Sequence, residues 1–189
     1  MTTENEIIAE IAEHYKDIIR LIGEDPEREG LVNTPMRAAR ALYYATSGYH
    51  ADEQALINNA IFCHEGSKMI IVRDIEFYSL CEHHILPFFG HISIGYIPDG
   101  KILGISKLAR IVEMFARRLQ VQERLTTEVC NEIAKVVGAK GVIAVCEAGH
   151  LCMKMRGVEK QDSTTVTMEY NGIFAENPQL REEFLRQIK

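Results

Sequence analysis

Apolar residues recur at helical spacing over residues 4–22, where Ile7, Ile8, Ile11, Tyr15, Ile18, Ile19 and Ile22 share one face. Gly23 stands where a helix C-cap belongs. A second helix is predicted from Thr34-Pro35 to about Thr46, with Thr34 as N-cap and Pro35 at the first helical position. Residues 48–68 carry no sustained period and leave room for one short helix. The pattern then changes to strands. Met69–Tyr78 is rich in β-branched residues, Phe88–Pro98 alternates, and Lys101–Ile105 resumes as a short strand after the turn signal Pro98-Asp99-Gly100. Two helical stripes follow: Leu108, Ile111, Val112 and Phe115, then Val121, Leu125, Val129, Ile133 and Val137, ending at Gly138. Val142–Cys152 and Ser163–Tyr170 read as strands that pair, and residues 177–187 as a closing helix. Helices, hairpin, two helices, hairpin and helix predict an α+β fold with an antiparallel sheet. A helical region over residues 1–68 would precede a sheet-bearing region over residues 69–189.

Composition narrows the class. With 189 residues, 47% of them hydrophobic and 25% charged, the chain can bury a sizeable core. No apolar run approaches the length of a membrane span, and the first residues do not read as a signal peptide. Five cysteines, an odd number, are scattered in a way that suits reduced thiols better than a disulfide framework. The expectation is a cytoplasmic protein. Its net charge of −6 argues against general nucleic-acid binding. The charge is uneven, however. Residues 101–124 hold six basic residues against Glu113 and Glu123, which suits a small anionic substrate unless these bases form a solvated helix face.

Two short clusters carry the chemistry: Cys81-Glu82-His83-His84 and His150-Leu151-Cys152. The C-x2-H spacing of Cys81 and His84 lets one turn hold one ion, and Cys152 would complete a three-ligand site. Three protein ligands leave the fourth zinc position to water, the arrangement of a catalytic rather than a structural metal. A structural zinc knot and metal-free core cysteines are the competing readings. The spacing favours His84 as ligand, with His83 as its rival. On a strand, residues i and i+2 share a face, so His150 should point with Cys152 toward the metal. It would act there in proton transfer or as a partner of a ligand. Cys130 and Cys146 lie in apolar stretches and read as core residues. Cys63-His64 reads as background.

Ser106-Lys107-Leu108-Ala109-Arg110 opens a helix, and Ser106 reads most simply as its N-cap. Free N–H groups there, with Lys107 and Arg110 on one face, suit a polyphosphate. Gln122-Glu123 begins the next helix. A carboxylate beside an amide could read the N–H edge of a guanine. A glutamate that merely complements the helix dipole is the plainer alternative.

Four segments taken together resemble GTP cyclohydrolase I of the zinc-dependent type. They are Cys81-Glu82-His83-His84, Gly104–Arg110, Arg118–Leu125 and His150–Gly157, and the similarity runs from about Thr34-Pro35-Met36-Arg37 to Phe174. The resemblance implies the tunnelling fold: an antiparallel sheet with helices on one side, an N-terminal helical extension, and sheets joined into a barrel. It implies a homodecamer of two stacked pentamers with active sites at subunit interfaces. The implied substrate is GTP, opened at C8 with loss of formate and closed again to 7,8-dihydroneopterin triphosphate, a first step toward tetrahydrofolate. Carried over by motif, Cys81, His84 and Cys152 bind zinc, and His83 and His150 transfer protons. Ser106 lies near the sugar, and Glu123 with Gln122 anchors the guanine. Lys107, Arg110 and Arg156 meet the triphosphate, with Arg37 reaching it from a neighbouring subunit. Asp162 and Met168 depart from the family's usual residues beside the Arg156 motif.

Overall fold

A computed structural model describes residues 3–57 and 60–189. Contacts divide the chain into two units, Met1–Ser47 and Gly48–Lys189, so residues 48–68 group with the sheet rather than with the first two helices.

In the first unit a capping box starts α1 (Glu4–Leu21). Glu6 N donates to Thr3 Oγ1, and Thr3 N donates back to the Glu6 carboxylate. The helix ends at Ile22, and Gly23 takes the left-handed φ of 91°. In α2 (Thr34–Ala45), Asn33 rather than Thr34 is the N-cap, and Pro35 sits in the first turn as expected. Ile8 and Ala12 of α1 pack on Ala39 of α2.

In the second unit the stretch expected to be irregular contains α3 (Glu53–Ile57) and a strand, β1 (Ile61–Cys63). The main sheet is built from β2 (Ile70–Cys81), β3 (Pro87–Ile97), β5 (Leu119–Gln120), β6 (Gly141–His150) and β7 (Thr165–Tyr170), in the order β5-β2-β3-β6-β7. Every pairing is antiparallel except the two-residue parallel contact of β5 with β2. β4 (Lys101–Leu103) does not return on β3 after the Pro98-Asp99-Gly100 turn. Both edges of β3 are already taken by β2 and β6, so β4 pairs with β1 in a separate two-stranded sheet.

The core lies between the main sheet and two helices, α4 (Ile105–Ala116) and α5 (Gln122–Val137). The expected stripes of both helices are buried except at Val121, which is half-buried and precedes α5 as its N-cap. Leu108, Ile111 and Val112 of α4 and Leu125, Val129 and Ile133 of α5 pack with Phe77, Ile92, Ile94, Tyr96 and Ala144 of the strands. Each fully buried aliphatic side chain contributes about 1.5–3 kcal/mol of transfer free energy. Gly104, not Ser106, is the N-cap of α4, so Ser106 lies within the first turn and caps nothing.

The other face of the sheet is not bare, which corrects the expectation of helices on one side. Residues alternate across a strand, so Ile97 and Ile143 point away from the main core. Phe174 of α7 (Ile173–Glu176) and Phe184 of α8 (Pro178–Gln187) cover them. Gly95 makes room for this: a Cβ there would sit 2.7 Å from the Phe184 ring.

Gly90 is the tightest point of the β3–β6 ladder, because a Cβ on it would lie 1.9 Å from the Glu147 carbonyl oxygen. Gly90→Ala is expected to destabilise the protein by about 1–3 kcal/mol through forced backbone displacement. The check is the urea midpoint, which should fall with an unchanged slope.

Candidate metal centre and active site

The strand register gathers the chemistry at one end of the sheet. Phe88 of β3 stands opposite Ser79 of β2 on one side and His150 of β6 on the other. The last residue of β2, Cys81, lies beside Gln120 of β5. The β2–β3 connection is a tight turn in which Ile85 N and His84 N donate to Cys81 O, and Cys81 N donates to Leu86 O. Ile85 takes φ 53°, a region that a β-branched residue rarely adopts. This turn carries Glu82, His83 and His84. Glu82 is tied to α5, since both terminal nitrogens of Arg124 donate to its Oε2 at 2.7 Å.

At the far side β6 ends at His150, and the chain turns into the short helix α6 (Leu151–Lys154). His150 and Cys152 are therefore not two positions on one strand face, as expected. A helical turn brings Cys152 round instead. Ligand atoms of Cys81, His84 and Cys152 all lie within 4.8 Å of one another, a group that could hold a metal ion. His83 is not part of this threefold group, but its Nδ1 lies 3.9 Å from the Cys81 sulfur and its ring is edge-on to His84 with centroids 6.2 Å apart.

The donor set suits a soft or borderline cation. Burial, and then the neighbouring Cys81 sulfur, push the Cys152 thiol above its usual range, with Arg156 opposing. A cation between the two sulfurs would reverse that repulsion. Cys130 and Cys146 are different: burial pushes each thiol up to about 12, so they stay protonated in the core. All five cysteines are free.

Beside the three ligands lies a cavity of about 220 Å³ lined by Cys81, His83, Gln120, Val121, Gln122, Glu123, His150, Cys152, Met153 and Thr165. Larger hollows exist on the other face of the sheet and along α8, but neither contains a cluster of metal-ligand side chains. The His150 ring stacks flat on Phe88, with centroids 4.7 Å apart and planes 2° from parallel. Its Nε2 lies 2.8 Å from Gln122 Oε1. Burial lowers the pKa of His150 and Lys154 adds to this, while Glu123 opposes.

The expected phosphate and sugar residues are not gathered here. Ser106 and Arg110 are exposed on the first turns of α4, and Lys107 Nζ donates to Leu56 O at 2.6 Å. None of the three lines the cavity. Arg156 follows α6 and is exposed, near enough to Cys152 to affect its thiol. Arg37 lies on α2 in the first unit and is exposed. Sequence reasoning did not single out Gln120, Val121, Met153, Thr165 or the Phe88 stacking partner. Only the pairing register brings them in.

Known proteins match almost the whole chain. A family profile described as GTP cyclohydrolase I covers residues 11–189. The chain belongs to the GTP cyclohydrolase I family. GTP cyclohydrolase 1 1 of Pseudomonas syringae pv. tomato is 52% identical over 178 residues, covering 94% of this chain and 95% of that protein. GTP cyclohydrolase 1 of Porphyromonas gingivalis is 50% identical over 185 residues, covering 98% and 95%. The protein of the same name from Pseudoalteromonas translucida is 52% identical over 180 residues, covering 95% and 98%. The Cys81, His84 and Cys152 set is a metal centre candidate, and four of the five cysteines fall into two pairs, Cys81 and Cys152 at the site and Cys130 and Cys146 in the core, with Cys63 exposed. Cys152→Ala should leave the purified protein with little bound divalent metal. Cys130→Ala should retain it, as measured by elemental mass spectrometry on both variants.

Proposed function

We propose that this chain catalyses the GTP cyclohydrolase I reaction: GTP and water give formate and 7,8-dihydroneopterin triphosphate, the entry to tetrahydrofolate synthesis. The observation that carries this reading is the convergence of Cys81, His84 and Cys152 beside a cavity that also holds His83, His150 and Glu123. Two thiolates and one imidazole suit zinc, with one coordination position left open. Zinc bound there would supply Lewis-acid activation of water.

The chain's own residues do the rest. Glu123, exposed at the start of α5 and lining the cavity, offers a carboxylate to the N1–H and N2–H2 edge of guanine. That contact turns the imidazole ring of the purine toward His83 and His150. These two histidines take the proton released as water adds at C8 and return it to the ring nitrogen that leaves, which opens the ring to a formamide; a second water then cleaves the remaining C–N bond and frees formate, and closure of the new ring returns one water. Ser106 assists at the ribose during the later rearrangement and ring closure. Arg156, close to Cys152, meets the phosphates from the same chain.

Lys107, Arg110 and Ser106 reach the substrate from a neighbouring copy. Two observations support this. The cavity of about 220 Å³ is smaller than the range of roughly 300–1,000 Å³ in which small-molecule sites fall, so one chain walls only part of the site. The anion-binding residues of α4 also lie away from it. The outer edge of β7 and most of the outer edge of β2 are unpaired among the described residues, and sheets continued from copy to copy would satisfy them. A decamer of two stacked pentamers, with Arg37 also contributing across an interface, is the assembly we infer. No described helix is long and apolar enough to cross a membrane. Five free thiols fit a cytoplasmic setting.

The decisive test is mass spectrometry of GTP incubated with zinc-loaded protein and with a chelated control. Formate and dihydroneopterin triphosphate should form, disappear on chelation and return with zinc. Intact GTP with folded, zinc-loaded protein would overturn the reading. A second expectation concerns the shared site. Lys107→Ala and His83→Ala proteins should each be nearly inactive, yet recover part of the wild-type rate when co-refolded together, because some mixed interfaces then carry neither substitution. No recovery would place Lys107 and His83 in the same subunit's site.

A further inference from the structure

The side chain of Gln122 is almost wholly buried, at 1% exposure, although it is the first residue of α5 and lines the cavity. Its amide nitrogen donates to Cys146 O at 3.0 Å and to Thr165 O at 2.9 Å. Both partners are backbone carbonyls and can only accept, so the nitrogen end of the amide is fixed without ambiguity. Thr167 Oγ1, at 3.2 Å from the same nitrogen, fits this order. Thr126 donates its hydroxyl to Gln122 O at 2.8 Å, so Thr167 must be the donor in the 2.6 Å contact between the two threonines. Thr167 Oγ1 is then left facing Gln122 as an acceptor. The oxygen end of the amide therefore points at His150.

An amide oxygen cannot donate. The His150 nitrogen 2.8 Å from it, Nε2, must carry the hydrogen. A flip of the ring in its own plane would keep the stack on Phe88 but put Cε1 in place of Nε2, so it is the bond to Gln122 that selects this orientation. Among the described residues no protein group bonds to Nδ1, which leaves that nitrogen with its lone pair free. We propose that Gln122 is a positioning residue that holds His150 in its Nε2–H tautomer, so that Nδ1 is the nitrogen that exchanges protons with the substrate. This rests on the reading of the cavity as the GTP site. It also takes the donors of the Gln122 side chain out of guanine recognition: the amide nitrogen is held by Cys146 O and Thr165 O and the oxygen faces His150, so Glu123 is the carboxylate that reads the base. When Nδ1 takes a proton, the imidazolium keeps its Nε2–H bond to Gln122 and the positive charge stays on a ring held in place. When the proton is returned, the starting tautomer is restored with no rotation of the ring.

The same arrangement explains why the pair is built from distant pieces. Gln122 sits on α5, Cys146 and His150 on β6, and Thr165 and Thr167 on β7. One amide joins the helix start to two strands and to the acid/base residue.

The test needs no turnover for its first arm. Zinc-loaded, full-length protein labelled with ¹⁵N-histidine is examined by long-range proton–nitrogen correlation at mildly alkaline pH, with the His150 signal assigned by its loss in His150→Asn. A pyrrole-like Nε2 and a pyridine-like Nδ1 are expected. The opposite pattern, or rapid averaging of the two, would overturn the proposal. If that tautomer is seen but GTP is not turned over, the positioning role stands and the assigned activity falls. The second arm is Gln122→Met, similar in length but without the amide. The expected result is a kcat lower by about 10- to 100-fold with KM for GTP little changed, as for other groups that orient a functional imidazole. A raised KM with kcat retained would instead assign Gln122 to guanine and refute the proposal. Should Gln122→Met not fold, the spectrum of the wild-type protein still decides.

Discussion

Phe88 stands opposite both Ser79 and His150, and Cys81 stands beside Gln120, so four segments end together at one rim of the sheet. The starts of α5 and α6 add Gln122, Glu123 and Cys152 to this rim. A slip of one residue between β3 and β6 would turn every side chain of β6 to the other face. His150 would leave its stack on Phe88, and Ala144 and Cys146 would leave the core. The buried faces of Ile92, Ile94 and Tyr96 oppose any such slip, because each would lose its packing at once. Core packing between the sheet and α4 and α5 thus sets the ligand geometry at a distance.

The electrostatics follow from where that rim lies. Cys81 is buried, Cys152 half-buried and His84 exposed, so the three ligands span the boundary between core and water. Two thiols meeting there repel once ionised, and a cation is the natural relief. Cys130 and Cys146 sit deeper, where burial keeps the thiol protonated and no ligand role is open to them. The same boundary serves the histidines. His83 projects toward water from the turn, while His150 lies against Phe88 with one nitrogen committed. The pair therefore differ in exposure and in contacts.

Much of this was legible in the residues. Helical stripes in α4 and α5 follow from a single period, and burial bears them out at Leu108, Ile111, Leu125, Val129 and Ile133; in α1 the period gives a helix and buries Ile8 and Ile19, but Ile18 and Ile22 are exposed. The C-x2-H spacing at Cys81 needs only one turn, and the turn is there. What pattern reading missed was non-local. β1 is three residues long, too short for a period, and it pairs with β4, the short strand expected at Lys101 but on another partner. β5 is two residues long and depends on β2. The strand carrying His150 stops two residues earlier than alternation suggested, because Leu151–Lys154 is helical. Ser106 looked like an N-cap by residue type, but Gly104 takes that position and the helix starts one residue before the serine.

The contrast between Gln122 and Glu123 carries this furthest. Adjacent residues on a helix point about 100° apart, so neighbours in sequence need not share a surroundings or a task. Gln122 turns inward to Cys146, Thr165 and His150, while Glu123 turns outward to the cavity rim. A motif read along the chain joins them as one recognition unit. The helix separates them into an exposed carboxylate at the cavity rim and a buried amide bonded to His150. The separation begins with β5, whose pairing with β2 sets where α5 begins and hence which of the two faces the sheet. Two residues of strand at the edge of the sheet thereby set which of the two neighbours is buried and which is exposed.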